Sequence, residues 1–153
     1  MTRMWIHKVG LAAISDGHLL VARKRKSDIF ILPGGKPEGN ESDLETLARE
    51  IDEELGCRIV DPCLLRVFKD VAAGVADSVV VVRLYSATLV GEPQPCSEIE
   101  ELAWINIRSP RAIRLAPSIE NGILPYLRKR RRSKTGSARR APDEAVQGLL
   151  ELI

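Results

Sequence analysis

The most constraining stretch of the sequence is residues 35–57, where a glycine turn is followed by the pattern of an amphipathic helix. Ser42 and Glu45 have the spacing of a capping box, in which a hydroxyl and a carboxylate reciprocally bind free amides at a helix start. The helix is therefore predicted to begin near Ser42 and to end at Gly56, a residue type that commonly terminates helices. Apolar residues at three- and four-residue steps predict one buried stripe: Leu44, Leu47, Ala48, Ile51 and Leu55.

Three carboxylates recur on the same helix at the spacing that brings side chains together. Glu50, Glu53 and Glu54 are expected to project from the side roughly opposite the leucines. Their mutual repulsion weakens the helix, and a hard divalent cation such as Mg²⁺, which prefers oxygen ligands and shares its shell with substrate phosphates, would remove that cost. Taken alone, this pattern is a weak indication of a metal site, because a solvated acidic helix face accounts for it at least as well.

The whole of residues 35–57 resembles a complete Nudix box, the signature of the Nudix hydrolases. The positions that carry the resemblance are Gly35, Glu41, Arg49, Glu50, Ile51, Glu53, Glu54 and Gly56. Cys57 departs from the pattern, since the family usually has a larger aliphatic residue there, and this difference concerns packing rather than chemistry. The resemblance implies an α/β/α sandwich, with a mixed β-sheet between helices and the box forming a loop-helix-loop.

The resemblance also implies the reaction. Nudix hydrolases cleave a nucleoside diphosphate linked to another moiety, X, by attack of water on a phosphorus of the pyrophosphate bridge, and they require Mg²⁺ or Mn²⁺. By position, Glu50, Glu53 and Glu54 would be the metal ligands, and Glu53 or Glu54 could accept the proton of the attacking water. Arg49 would orient a box carboxylate by ion pairing.

Residues around the box are expected to shape and complete this site. Gly34 and Gly35 would shape the loop, and Glu41 would tie the loop to the helix or lie at the edge of the metal cluster. In some Nudix enzymes an acid-rich loop beyond the box supplies a further ligand or the general base. The acids of the corresponding segment are Glu98, Glu100 and Glu101. For each of them a solvated loop carboxylate is the simpler interpretation, and Trp104 just beyond is expected in the core.

Substrate contacts are expected outside the box. Residues 23–26 are four consecutive cations, which either end a strand in solvent or reach phosphate oxygens, so that Arg23, Arg25 and Phe30 are candidate substrate contacts. Phe68 and Tyr85 are further candidates for recognition of X.

Markers that some Nudix subgroups carry for ADP-ribose, dinucleoside polyphosphates or NADH do not occur at the expected distances beyond the box. Their absence favours nucleoside triphosphates, oxidised ones among them, or a broad housecleaning role. Two alternatives stay open: a Nudix fold that binds nucleotides without hydrolysis, and an RNA-associated Nudix protein that uses a basic tail. The clustered box acids argue against the first, and the lack of aromatic residues among the tail cations argues against the second.

Composition and charge divide the chain. The 153 residues, with 44% hydrophobic and 29% charged residues, suit one Nudix domain of ordinary size over residues 1–128. Residues 129–141 are predicted to be a flexible basic linker. Residues 142–153 are predicted to form a C-terminal amphipathic helix that could dock on the domain or on a second copy, giving a homodimer. Three cysteines without a C-x-x-C pair, and no signal-peptide or membrane-spanning run, predict a cytoplasmic protein with no membrane contact.

The remaining elements follow from apolar runs and turn residues. A hairpin is predicted from residues 5–14 and 18–22 around the turn at residues 15–17. Extended segments are predicted at residues 58–60, 64–72 and 78–90, and a helix at residues 118–132, where Pro125 would kink the helix or delay its start.

Overall fold

The computed structural model describes residues 3–137, and side chains only as far as residue 130. The elements within that range are, in chain order, β1 (Met4–Ala12), β2 (Ile14–Ser15), β3 (His18–Lys24), β4 (Phe30–Ile31), β5 (Gly34–Gly35), α1 (Asp43–Leu55), β6 (Arg58–Val71), β7 (Ser78–Val90), β8 (Ile99–Asn106), a π-helical turn (Ile119–Ile123) and α2 (Leu124–Ser137).

The strands form two four-stranded sheets. The first has the order β5-β1-β7-β6, in which β1 and β7 are parallel and the other neighbours are antiparallel. In the second, β3 pairs antiparallel with β2, β4 and β8. The predicted mixed sheet is therefore confirmed.

Successive strand residues point to opposite sides of a sheet, so a strand with apolar residues at successive positions has two apolar faces. Helices cover both faces here. On β3, Leu20 faces the core that packs on α1, whereas Leu19 and Val21 face the core that packs on α2. The α1 core also contains Val9, Leu11, Leu47, Ile51, Leu55, Cys57 and Tyr85. The α2 core also contains Leu84, Ile105, Ile119, Ile123, Leu124 and Leu127. The predicted α/β/α sandwich is confirmed, and Cys57 is a packing residue in it.

Both predicted ends of α1 are confirmed. The Ser42 hydroxyl accepts a 3.1 Å hydrogen bond from the Glu45 amide, and the Glu45 carboxylate accepts a 2.9 Å bond from the Ser42 amide. Gly56 ends the helix with a left-handed φ of 67°. The helix that carries the box acids is thus fixed at both ends by local interactions.

The predicted buried face of α1 is wrong in part. Leu47, Ile51 and Leu55 are fully buried, but Leu44 and Ala48 are exposed. Glu54, expected opposite the leucines, is buried on their side of the helix. Its position explains this, because it follows Ile51 by three residues and precedes Leu55 by one, and three-residue spacing keeps side chains on one face.

Two strand predictions also need correction. The hairpin consists only of β2 and the start of β3, whereas β1 belongs to the first sheet and runs parallel to β7. The segments predicted at residues 58–60 and 64–72 are one continuous strand, β6, which ends at Val71 and whose register shifts between Val60 and Cys63. Asp61 and Pro62 lie where the register shifts. Asp61 has a positive φ of 54°, and Pro62 has no amide hydrogen to donate to the neighbouring strand.

The C-terminal helix begins with a π-helical turn, in which the Leu124 amide bonds the Ile119 carbonyl. Pro125 follows directly. Because proline has no amide hydrogen to donate, the hydrogen-bond ladder is broken there, and the helix is locally widened into the π-helical turn. α2 continues to Ser137, so the first part of the segment expected to be a flexible linker is helical. Residues 138–153, including the predicted last helix, lie outside the described residues. In the described part of the chain, no helix has the length and apolar character needed to cross a membrane.

Candidate active site

The glycine turn, formed by Gly34 and Gly35 of β5, lies against two carboxylates of the Nudix box. The Gly34 amide donates a 2.9 Å hydrogen bond to Oε1 of Glu54. A Cβ on Gly34, which has a φ of 141°, would overlap the Val9 carbonyl oxygen, and a Cβ on Gly35 would lie 2.6 Å from the Glu50 carboxyl carbon. Only glycine therefore allows the turn to approach β1 and both glutamates so closely.

The three box acids have different surroundings. Glu54 is 1% exposed, and burial raises the pKa of its carboxyl to about 7 despite the hydrogen bond from Gly34. Burial also raises the pKa of Glu50, although its hydrogen bond from Arg49 opposes the effect. The Glu53 side chain, by contrast, is 50% exposed. The turn of α1 that carries Glu50, Glu53 and Glu54, called the acidic turn below, therefore extends from the protein interior to solvent.

Arg49 connects the box acids to the loop before the helix. Its Nε and Nη2 atoms lie 2.7 and 2.9 Å from the two oxygens of Glu41. Its Nη1 atom lies 2.8 Å from Glu50 Oε1 and 3.5 Å from Glu53 Oε2, and its Nη2 donates to the Lys36 carbonyl. The hydrogen bonds from Arg49 hold the pKa of Glu41 at about 2. Glu41 thus ties the loop to α1 through Arg49.

The box carboxylates are oxygen donors of the kind that a hard divalent cation takes, but in this structure their oxygens are directed at other partners. In the region from residue 3 to residue 130, no group of three or more His, Cys, Asp or Glu side chains is arranged around a common point. Glu50 and Glu53 turn towards Arg49, and Glu54 turns towards Gly34. Even so, Glu50 and Glu54 both lie against the glycine turn, where the charge of Glu50 helps to raise the pKa of Glu54. Clustered carboxylate oxygens of this kind are the ligands that Mg²⁺ prefers.

The cationic run and the downstream acids pair with each other across β3 and β8. The pairs are Arg23 with Glu101 at 3.1 Å, Lys24 with Glu98 at 3.9 Å and Arg25 with Glu100 at 3.6 Å. The register that aligns Arg23 with Glu101 brings the two runs together. Arg23 also donates to the Ser27 carbonyl and Arg25 to the Ser97 carbonyl, so that these two candidate substrate contacts are largely committed to protein groups.

Of the three downstream acids, Glu98 is the one whose charge reaches the box. Its carboxylate contributes to raising the pKa of both Glu50 and Glu54. A 2.8 Å hydrogen bond from the Ser97 hydroxyl in turn lowers the pKa of Glu98. Glu98 therefore belongs to the electrostatic neighbourhood of the box.

A cleft of about 650 Å³ opens beside the glycine turn. Its floor is the sheet face formed by Ile6, Lys8 and Gly10 of β1 with Val80 and Val82 of β7. The cationic side chains that line it are Lys8, Lys24, Lys26, Lys36 and Arg114. The cleft also contains Asp28, which pairs with Arg114 at 3.1 Å. An apolar floor edged by cations suits an organic group attached to an anion.

Several expected recognition residues lie elsewhere. Phe30 is buried in the α2 core, so it packs the interior and is not a substrate contact. Tyr85 is buried, and its hydroxyl donates to Asp43. Phe68 packs edge-on against Tyr126. Trp104, expected in the core, is 41% exposed, because its neighbours along β8 face inward and strand residues alternate.

Lys8 is a cleft residue that the sequence-based prediction does not contain. It lies in β1 directly before the buried run Val9–Ala12 and two residues after Ile6. A charged residue next to a run of buried strand residues is a recognisable signal, because desolvating an ammonium group is costly. The signal could have been found by asking why this strand carries a charge.

Comparisons with known proteins agree with this geometry. The family model of the NUDIX domain matches residues 7–127. An uncharacterized Nudix hydrolase of Bacillus subtilis, YvcI, is 25% identical over 118 residues, which cover 75% of this chain and 74% of YvcI.

Solved structures of Nudix proteins are also similar. The MutT NUDIX hydrolase of Burkholderia pseudomallei superposes with a TM-score of 0.62 and 27% identity, covering 72% of this chain and 90% of that one. The MutT protein of Bacillus halodurans has a TM-score of 0.64 and 25% identity, covering 80% of this chain and 81% of its own. This chain therefore belongs to the Nudix family and is a Nudix pyrophosphohydrolase.

Proposed function

We propose that this protein hydrolyses nucleoside triphosphates, oxidised ones among them, in a reaction that depends on Mg²⁺ or Mn²⁺. The observation that carries the proposal is the position of the cleft. Its cationic lining reaches the glycine turn on which Glu50 and Glu54 lie, so that a bound phosphate chain would extend from the cleft to the box acids. Compared with a nucleoside diphosphate linked to an uncharged group, a nucleoside triphosphate places more negative charge against these cations.

Glu50, Glu53 and Glu54 would hold the cation. A divalent cation, when bound, neutralises charge on phosphoryl oxygens and makes water more acidic. Arg49 is a positioning residue in this scheme, since its bond to Glu50 and its paired bonds to Glu41 fix the direction of the Glu50 carboxylate. The geometry of the acidic turn thus depends on the loop that precedes it.

The hydrolytic step forms one bond to phosphorus, breaks another and transfers one proton. The water oxygen forms a bond to phosphorus, the bridging phosphorus–oxygen bond breaks, and its electron pair stays on the departing phosphate. The water proton passes to a carboxylate. Candidates are Glu53 and Glu54 in the box and Glu98 beyond it. Glu100 and Glu101 have less support, because their ion-pair partners are Arg25 and Arg23 rather than groups near the box.

The nucleoside would occupy the apolar part of the cleft. The apolar residues that line the cleft include Ile6, Ile29, Val75 and Val80, whereas Lys8 and Lys36 adjoin the glycine turn. Apolar walls with few polar groups are common in sites that bind flat organic rings. This arrangement supports a nucleotide bound with its phosphates towards the box.

A panel of nucleoside triphosphates, oxidised nucleotides and nucleoside diphosphate sugars tests the proposal. Purified protein is incubated with Mg²⁺ or Mn²⁺, and the products are separated to identify the bond that is cut. We expect release of pyrophosphate or phosphate from triphosphates at the highest kcat/KM. Binding without any product would instead support the non-hydrolytic alternative.

Variants of neighbouring helix positions test the role of the box. Glu53→Gln should lose most turnover while remaining folded. Asp52→Asn is the matched control, because Asp52 is the adjacent exposed acid on α1. Equal activity of the two variants would remove Glu53 from the mechanism.

A further inference from the structure

We propose that Lys8 binds the phosphate chain of the substrate from the floor of the cleft and thereby favours triphosphates over substrates whose second moiety is uncharged. This inference rests on the proposed function and assigns a residue that lies outside the Nudix box. It is carried by the place of Lys8 in the sheet and by the charges around it.

The sheet fixes the direction of the Lys8 side chain. Val9 and Leu11 point into the α1 core, so the alternation of β1 directs Ile6, Lys8 and Gly10 to the opposite face. Lys8 pairs in register with Val82 of β7, and Ile6 pairs with Val80. These residues all line the cleft, where Lys8 is the charged group of an otherwise apolar floor.

The same register brings Lys8 to the catalytic end of the cleft. Val9 pairs with Gly35, so this pair is adjoined by Lys8 on β1 and by Lys36 directly after β5. Glu50 and Glu54 are close enough for their charges to raise the pKa of Lys8. A phosphate chain that reaches the glycine turn would therefore pass over the Lys8 ammonium.

The surroundings of Lys8 leave its positive charge poorly compensated. Burial lowers its pKa, and the charges of Lys24 and Lys36 lower it further. Lys24 forms an ion pair with Glu98, whereas Lys8 takes part in none of the ion pairs among the described residues. A polyanion would remove the repulsion among these lysines and replace the lost hydration of Lys8 with charge-assisted hydrogen bonds.

The number of phosphates decides which substrates gain from this arrangement. A nucleoside diphosphate sugar places an uncharged group where a triphosphate places a third anionic one. Loss of a hydrogen bond to a charged group costs about 1.5–3 kcal/mol, which corresponds to roughly 10- to 150-fold in affinity. Lys8 should therefore affect the two substrate classes unequally.

The experiment compares Lys8→Met with Lys69→Met in the full chain. Methionine keeps the length and apolar packing of lysine but not its charge. Lys69 is an exposed lysine of β6 outside the cleft and serves as the control. Two quantities are measured: kcat/KM for a nucleoside triphosphate and for a nucleoside diphosphate sugar, and the Kd of inorganic triphosphate by calorimetry in EDTA. Thermal unfolding of each variant checks its fold.

We expect Lys8→Met to lower kcat/KM for the triphosphate about 10- to 100-fold, to change that for the sugar nucleotide less than about 3-fold, and to weaken triphosphate binding. Lys8→Arg should restore binding, since it keeps the charge. An unchanged Kd for triphosphate in Lys8→Met, or equal losses with both substrates, would overturn the inference. Absence of hydrolysis by the wild-type protein would instead refute the proposed function, and the calorimetric comparison would still decide the role of Lys8.

Discussion

Arg49 and Glu41 form two parallel hydrogen bonds, with Nε 2.7 Å from Oε2 and Nη2 2.9 Å from Oε1. This fork geometry uses the Nε–Nη2 edge of the guanidinium and leaves Nη1 for Glu50 at 2.8 Å. Glu41 therefore determines where Arg49 lies, and Arg49 determines where the Glu50 carboxylate points. A residue eight positions before the arginine controls the acidic turn from outside it.

Replacing Glu41 should impair catalysis through this relay. Glu41→Gln keeps the side-chain shape but gives Arg49 an amide where it now has a carboxylate. Because loss of a partner that orients a ligand typically costs 10- to 100-fold in activity, we expect a decrease of about that size in kcat. Glu45→Gln is the control, since glutamine also serves in a capping box. Steady-state kinetics of both variants would check this, and equal kcat values would exclude the relay.

The pKa of Glu54 predicts how stability depends on pH when EDTA is present. The folded-state pKa is about 7, against 4.5 for an ordinary glutamate, so the folded protein holds this proton more tightly than the unfolded chain. The free energy of unfolding should therefore fall as pH rises from about 4.5 to about 7. At 1.36 kcal/mol per pKa unit, the loss is at most about 3 kcal/mol.

Urea unfolding between pH 4.5 and 8 in EDTA measures this dependence. Glu54→Gln should flatten it and should be more stable than the wild type at pH 8, because it no longer buries a charge there. The same variant should lose activity if Glu54 is a ligand or base. Glu53→Gln is the comparison variant, because it removes a half-exposed carboxylate from the same helical turn. A steep dependence that survives in Glu54→Gln would assign it to another group.

Gly35 should tolerate no side chain if the Glu50 carboxylate must keep its place. A Cβ at Gly35 would lie 2.6–2.9 Å from the carboxyl atoms of Glu50 and would displace them. Gly35→Ala should therefore lower kcat by an order of magnitude or more. Gly39→Ala is the comparison, because its Cβ would meet nothing within 4 Å and its φ of 55° costs only backbone strain. We expect Gly39→Ala to lose about 1–2 kcal/mol of stability and to keep its activity.

Local interactions explain why the helix and its acids could be predicted. The capping box and the terminal glycine are set by residues within four positions of each other, so their sequence spacing is sufficient. The order of elements and the two helical layers likewise follow from apolar periodicity. The orientation of Glu54 also follows from spacing, since it stands three residues after Ile51, and a prediction that places all three acids on one face overlooks this.

Long-range contacts explain what could not be predicted. Residues 23–26 and 98–101 each look like free charges along the chain, and only the antiparallel register of β3 and β8 shows that they neutralise each other. Trp104 is exposed because of the phase of β8, which one residue of displacement would reverse. Lys8 gains its significance from β5 and β7, neither of which is its neighbour in sequence.

Addition of a divalent cation should stabilise this protein in a manner that depends on pH. A ligand that binds only the folded state at 100 times its Kd contributes about 2.7 kcal/mol. Mg²⁺ must displace the proton of Glu54 and compete with Arg49 for Glu50, and carboxylate ligands bind metal only when deprotonated. The increase in Tm on adding Mg²⁺ should therefore be larger at pH 8 than at pH 6. Differential scanning calorimetry at both pH values measures it, with Glu54→Gln expected to show little increase and Asp52→Asn to behave as the wild type. A Tm that rises equally in Glu54→Gln would place the cation away from the box helix.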